Sequence, residues 1–391
     1  MLKNGKTMDR YISRTSISIE NENFLINGKP LQEKIKFQNI SIEGLLMNSR
    51  MANAIFDDAN PFTKHLWIYP DTKKWNPERN TDELIQMLKI YLNNGLKCIN
   101  INLQGASPLG YYRSDKINLN KLISKIQLKF PNAKIEDIWD GLPSTNSQPW
   151  DSGAFNPDGS LKEKFLNRAS KIIEEADRIG MMICLGFFYF GQDERLEDEK
   201  AVINAVDNAV KWVLGKKYKN TIIEINNECD VPKYEHEILQ QNRIHELIEY
   251  VSKIRIDNNK LYVGTSFTKR MLPTDNVINF SDFIILHGNG IDNPHEIKKY
   301  IKNTRKSKYY RGQPIFFNED DHFDFNENLN NFTEALRQRV GWGFFDPGHG
   351  AGGSAAYGDY INGFQNPPIN WTINTQRKKE YFSLMNKITS S

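Results

Sequence analysis

Two short apolar runs in this chain end in the dipeptide Asn-Glu. One is Thr221-Ile222-Ile223-Glu224-Ile225-Asn226-Asn227-Glu228, and the other is Pro314-Ile315-Phe316-Phe317-Asn318-Glu319. Runs of this kind read as strands buried in a parallel sheet. An ionised glutamate is costly to bury there without a partner or a task. Two carboxyl groups carried at the carboxyl ends of two barrel strands suit the cleavage of a glycosidic bond, where one protonates the leaving oxygen and the other attacks the anomeric carbon. The acid must keep its proton near neutral pH while the nucleophile stays ionised, and the acid must then turn base for the second step. The competing reading is that both glutamates only pair with buried arginines.

The elements that would hold such a pair follow from the hydrophobic pattern. From about residue 40 onward, short apolar runs alternate with amphipathic ones, as in repeated strand-helix units. The candidate strands are Ser41 to Met47, Lys97 to Leu103, Met181 to Phe188, Thr221 to Asn226, Leu261 to Ser266, Phe283 to His287, Pro314 to Asn318 and Val340 to Phe345. Between them, Phe165, Ala169, Ile172, Ile173, Ala176 and Ile179 recur at helical spacing, as do Ile244, Leu247, Ile248, Val251 and Ile254. Thr81-Asp82-Glu83 and Asn293-Pro294 read as helix starts. Eight units predict an α/β fold, a (β/α)8 TIM barrel with extended βα loops, in one domain over 1–391. A doubly wound sheet would need a Gly-x-Gly-x-x-Gly turn after an early strand, which neither the first nor the second strand supplies.

Residues 1–38 carry an Asn27-Gly28 hairpin signal and are expected to plug one end of the barrel. Residues 105–159, rich in Pro, Ser, Tyr and Trp, are expected to form a long loop over the active-site face.

Composition excludes several function classes. With 51 basic and 48 acidic residues the net charge is +3, which offers no drive toward nucleic acid or an anionic membrane. No stretch approaches the ~18 apolar residues of a membrane span. The polar start Met1-Leu2-Lys3-Asn4 predicts a cytoplasmic protein, or a secreted or periplasmic one if a leader was removed. Cys98, Cys184 and Cys229 are odd in number and scattered, so they read as reduced core residues. No cofactor motif is present, and oligomeric state leaves no mark in the sequence.

The ordinal positions of the two Asn-Glu pairs, fourth strand and seventh, resemble those of retaining glycoside hydrolases of clan A. The similarity extends from Asn27-Gly28-Lys29-Pro30 through Phe155-Asn156-Pro157-Asp158-Gly159-Ser160-Leu161 and Ala176-Asp177-Arg178-Ile179-Gly180-Met181 to Glu319. The resemblance implies a polysaccharide- or oligosaccharide-degrading enzyme with Glu228 as acid/base, Glu319 as nucleophile and Asn227 holding the sugar 2-hydroxyl. It also implies sugar contacts for His287 at the end of the sixth strand and a stacking platform at Trp342. Arg50, closing the first strand, would steady the ionised nucleophile or pair with the deeper Glu224. Asp320, Asp321 and His322, just past the nucleophile, are further candidates for sugar hydroxyls, with Gln104, Tyr189 and Trp150 from the exits of the second and third strands. An Asp-Asp pair is a weak metal signal, and no metal is expected. Two alternatives stay open: a non-catalytic carbohydrate-binding barrel, and a phosphosugar lyase or isomerase that uses the Gly-rich loop Gly348 to Ser354.

Overall fold

The computed structural model describes residues 11–108, 116–138, 148–348 and 362–390, without the side chains of 116–119, 121 and 135. Eight parallel strands form the centre: β1 (Asn48–Arg50), β2 (Cys98–Asn102), β3 (Met182–Phe188), β4 (Thr221–Asn226), β5 (Val263–Gly264), β6 (Ile284–His287), β7 (Ile315–Glu319) and β8 (Gly343–Phe344). One continuous ladder runs β5-β4-β3-β2-β1-β8 and a second pairs β6 with β7. Parallel bridges Phe316 to Gly341 and Asp320 to Phe344 join β7 to the β8 segment. On the other side the Asp282 N–H donates to the Val263 carbonyl at 2.9 Å, linking the β6 segment to β5. The strand order therefore returns on itself as a (β/α)8 barrel.

The crossovers are helices α1 (Pro77–Asn93), α2 (Lys116–Gln127), α3 (Ile135–Ile138), α4 (Glu163–Ile179), α5 (Glu199–Gly215), α6 (Ile244–Lys253), α7 (Asp275–Phe280), α8 (Pro294–Thr304), α9 (Asn331–Arg337) and α10 (Gln376–Thr389). Asn293 caps α8 with Pro294 in its first turn, as its sequence predicts. The start expected at Thr81 lies inside α1, because Asn76 already caps the Arg79 N–H and Pro77 opens the helix.

The first strand also departs from expectation. Ser41 to Met47 was apolar enough for a strand, yet Ile40–Ser41 pairs back on Lys36–Phe37. Gly44, at φ +78°, exchanges backbone hydrogen bonds with Phe24 and Leu31. The apolar residues Ile42 and Leu45 fill the core beneath the barrel wall, and the ladder begins at Asn48.

The hairpin pairs Ile17–Glu20 with Asn23–Ile26. Next comes a turn whose Asn27 and Gly28 both have positive φ, the conformation that Asn-Gly favours. Ile17, Phe24 and Leu31 pack in one cluster with Leu46, Cys98, Met182, Cys184, Ile222, Phe283, Ile285 and Phe316. These barrel residues come from the amino-terminal halves of the strands and share a face at every second position, so the hairpin closes that end.

Residues 105–159, expected as a long loop, carry secondary structure of their own. Their described part includes α2 and α3, and Leu122, Ile126, Ala133 and Ile138 form a small core with Phe62, Leu66, Ile123 and Phe130 alongside.

Candidate active site

At the carboxyl ends of the strands, one guanidinium organises three acidic and amide groups. Arg50, at the end of β1, is 2% exposed and lies 2.6 Å through Nε from Glu319 Oε2. Its Nη1 reaches Glu224 Oε2 at 3.3 Å, and its Nη2 donates to Asn227 Oδ1 at 2.5 Å. Burial works against this charge, but Glu319 and then Glu224 more than restore it, so the Arg50 pKa is raised. Glu224 is also bound by Asn318 Nδ2 at 3.1 Å, which fits its expected place one pleat deeper than Glu228.

Glu228 follows β4 in a tight turn. Its backbone has φ +53°, a left-handed conformation that side-chain-bearing residues rarely adopt. Three contacts hold it there: its N–H donates to Ser266 Oγ at 2.9 Å, the Cys229 N–H donates to the Ser266 carbonyl, and Tyr234 Oη donates to the Asn227 carbonyl at 2.5 Å. Strain of this kind concentrates at functional sites, because surrounding structure must over-determine it.

His287 bridges the two carboxylates. Its Nδ1 lies 2.9 Å from Glu228 Oε1 and 3.7 Å from Glu319 Oε2. A register shift in the β6–β7 ladder sets His287 opposite Glu319, the kind of re-aiming a bulge provides. Burial opposes a charge on this fully buried ring, yet Glu319 and Glu228 outweigh it and raise its pKa above the usual histidine value. Asn289, two residues on, donates from Nδ2 to Glu319 Oε1 at 2.5 Å. Both oxygens of Glu319 are thus bound, one by a cation and one by a neutral amide.

One ligand atom from each of Glu228, His287 and Glu319 lies within 4.8 Å of the others, a spacing open to a cation as well as to acid-base work. The positive charge facing Glu319 is already supplied by Arg50, so a cation would have to enter against a guanidinium.

Glu228, Glu319, Asn227, Arg50 and His287 come together as the sequence predicts. Tyr189 lies beside them, stacked on Phe190 at 4.5 Å and near enough to act on the Arg50 charge. Asp321 stays close to Glu319, its Oδ1 taking the Gly290 N–H at 2.6 Å.

Other expected contacts do not form. Trp342 is fully buried on the outer face of the barrel, stacked on Phe332 of α9 at 5.0 Å and packed near Tyr381 of α10, so its ring offers no face to a sugar. Its Nε1 donates to Asp320, which also accepts from Asn331 Nδ2 and the His322 N–H. Asp320 is therefore a buried anchor of α9 rather than a hydroxyl contact, and burial, helped by Asp321, pushes its pKa up to about 7. Trp150 is equally buried, packed edge-on against Trp67 in a cluster with Phe56. Gln104 spends its amide on the Tyr189 N–H and the Gln192 carbonyl, tying two strand exits together. His322 lies 3.3 Å from the exposed Asp324 and is mostly covered. Trp139, Tyr111, Tyr112 and the loop from His349 to Ser354 lie outside the described residues.

Sequence reasoning missed Asn289 and Ser266. Ser266 stood last in the fifth candidate strand, a position that carried the signal. Asn289 lies beyond any strand, and nothing short of the fold locates it. It also passed over Phe345. On pleat parity Phe345 shares the inner face with Gly343, is 7% exposed and belongs to none of the core clusters.

No protein-family model matches the sequence, and no curated protein matches it. Solved structures do match. A GH5-4 broad specificity endoglucanase from Bacteroides salanitronis aligns with a TM-score of 0.50 at 12% identity, over 91% of this chain and 98% of that one. A glycoside hydrolase family 5 mannosidase from Rhizomucor miehei gives 0.47 at 12%, over 97% and 99%. A family 5 glycoside hydrolase from Bacteroides vulgatus gives 0.45 at 13%, over 88% and 67%. Another match, to a longer Bacteroides vulgatus chain, spans 47% of that chain. At such identities the likeness is one of fold.

Proposed function

We propose that this chain is a retaining glycoside hydrolase, with Glu319 as nucleophile and Glu228 as acid/base. The observation that carries the reading is the convergence of Glu228, His287 and Glu319 within 4.8 Å at the ends of β4, β6 and β7. Direct attack calls for carboxyl groups ~5–5.5 Å apart, whereas an intervening water needs ~6.5–9.5 Å. The short separation favours the first.

In the first step Glu319 attacks the anomeric carbon while Glu228 passes its proton to the departing oxygen. The glycosyl-enzyme ester consumes the charge on Glu319, and Glu228, now ionised, is held by His287 Nδ1 at 2.9 Å. In the second step Glu228 takes a proton from water, which attacks the same carbon and releases Glu319. Asn227 gives its Oδ1 to Arg50, while its Nδ2 has no partner among the described residues and remains a donor for a sugar hydroxyl.

Hydrolysis of aryl glycosides tests the reading, starting from glucosides and mannosides in both anomeric forms. Turnover by the wild type and none by Glu319→Ala is the expected result. Binding of oligosaccharides with no turnover of any glycoside would favour a non-catalytic binding barrel instead.

A further inference from the structure

Glu224 is a buried carboxylate that the two-step mechanism leaves unused. It is 1% exposed, its Oε2 takes Arg50 Nη1 and Asn318 Nδ2, and its Oε1 accepts nothing among the described residues. One guanidinium thus lies between two anions, closer to Glu319 than to Glu224 (2.6 Å against 3.3 Å). All three groups are shielded from water, where charge interactions are strong and an unpaired ion is severely penalised.

The proposed reaction changes the charge of this trio. While Glu319 is ionised, Arg50 has two counter-ions. When Glu319 Oε attacks the anomeric carbon and becomes an ester, one of them disappears and Arg50 would be left as a buried cation. Glu224 is the counter-ion that persists.

We propose that Glu224 is a positioning residue that acts through Arg50. It draws part of the guanidinium charge away from Glu319 before attack and neutralises Arg50 once the glycosyl-enzyme has formed. The inference rests on the glycosidase reading of the same site. An over-stabilised nucleophile would raise the barrier, because stabilising the reactant state more than the transition state slows the step. The charged and titratable groups around Glu319 are Arg50 from β1, Glu224 and Glu228 from β4 and its turn, His287 from β6, Asp321 on its own exit, and Tyr189 through Arg50. Of these, Glu224 shares Arg50 with the nucleophile yet lies a pleat below the reacting pair.

Glu224→Gln keeps the shape and the acceptor for Arg50 and Asn318 but removes the charge. The acid limb of kcat/KM should move to lower pH, and kcat/KM at neutral pH should fall by roughly tenfold or more. The lifetime of a trapped 2-deoxy-2-fluoroglycosyl-enzyme should shorten, because Arg50 is then unpaired in that state. Glu224→Asp, which keeps the charge, should restore the wild-type limb. A merely structural role would lower the folded fraction without moving the limb. If Glu224→Gln does not fold, Asn318→Asp adds negative charge beside the same carboxylate and should move the limb to higher pH. A limb that stays in place in whichever variant folds, with an unchanged intermediate lifetime, overturns the inference while leaving the glycosidase reading intact. A wild type that turns over no glycoside fails that reading, and the inference with it.

Discussion

The proposed reaction gives Glu228 and Glu319 different tasks, and substitution should separate them. Glu228→Ala is expected to spare substrates with very good leaving groups, which need little protonation, and added azide should partly rescue it by attacking the ester without base assistance. Glu319→Ala should lose turnover of both good and poor leaving groups. Equal behaviour across a leaving-group series would contradict the division of roles. Asp320 gives a second test, in stability. Its folded-state pKa of about 7 lies above the unfolded value of 3.8, so the folded chain binds this proton more tightly. The contribution is full below about 3.8 and is lost as pH rises through about 7. Asp320→Asn should flatten that part of a Tm-against-pH curve, and an unchanged slope would contradict the assignment. Strand-end carboxylates were legible in the sequence because a glutamate closing an apolar run is chemically conspicuous. The direction in which a side chain leaves its strand was not. Trp342 and Asp320 fell one pleat step from the inner face, and a period of two turns each such step into the difference between sugar cleft and helix layer.

The strands and helices set these directions, and their seams are tight where glycine replaces a side chain. At Gly341 an added Cβ would meet the Leu46 carbonyl oxygen at 2.4 Å and its nitrogen at 2.9 Å, both backbone atoms unable to swing aside. Gly341→Ala should therefore destabilise the chain by about 1–3 kcal/mol in urea unfolding, through the seam between β8 and β1. A variant as stable as the wild type would show that the seam can shift. Seven of the eight candidate strands overlap their observed counterparts, because apolar runs that are buried on both faces are distinctive. The first failed since Ser41 to Met47 satisfies the same pattern, while backbone bonds through Gly44 claim it for the hairpin, a long-range pairing that composition does not encode. The helices inside 105–159 were not legible, because their small core packs with Phe62 and Leu66, which lie outside the segment.

The molecule as a whole is a barrel closed at one end by its amino-terminal hairpin, with the candidate site at the other. Fold and chemistry are connected through Arg50, which belongs to β1 yet binds groups from β4 and β7 across the barrel. Position of Glu228 and Glu319 thus depends on closure of the sheet, and closure was legible in the count of eight repeated units. The central claim, covalent catalysis by Glu319, is tested most directly by trapping. The chain is incubated with 2,4-dinitrophenyl 2-deoxy-2-fluoro-β-glucoside and the corresponding mannoside, digested, and read by mass spectrometry. The expected result is one fluoroglycosyl unit on the peptide that contains Glu319, with product anomers of retained configuration from the unfluorinated substrate. An adduct on Glu228, or active enzyme that forms no adduct and releases inverted product, would contradict it.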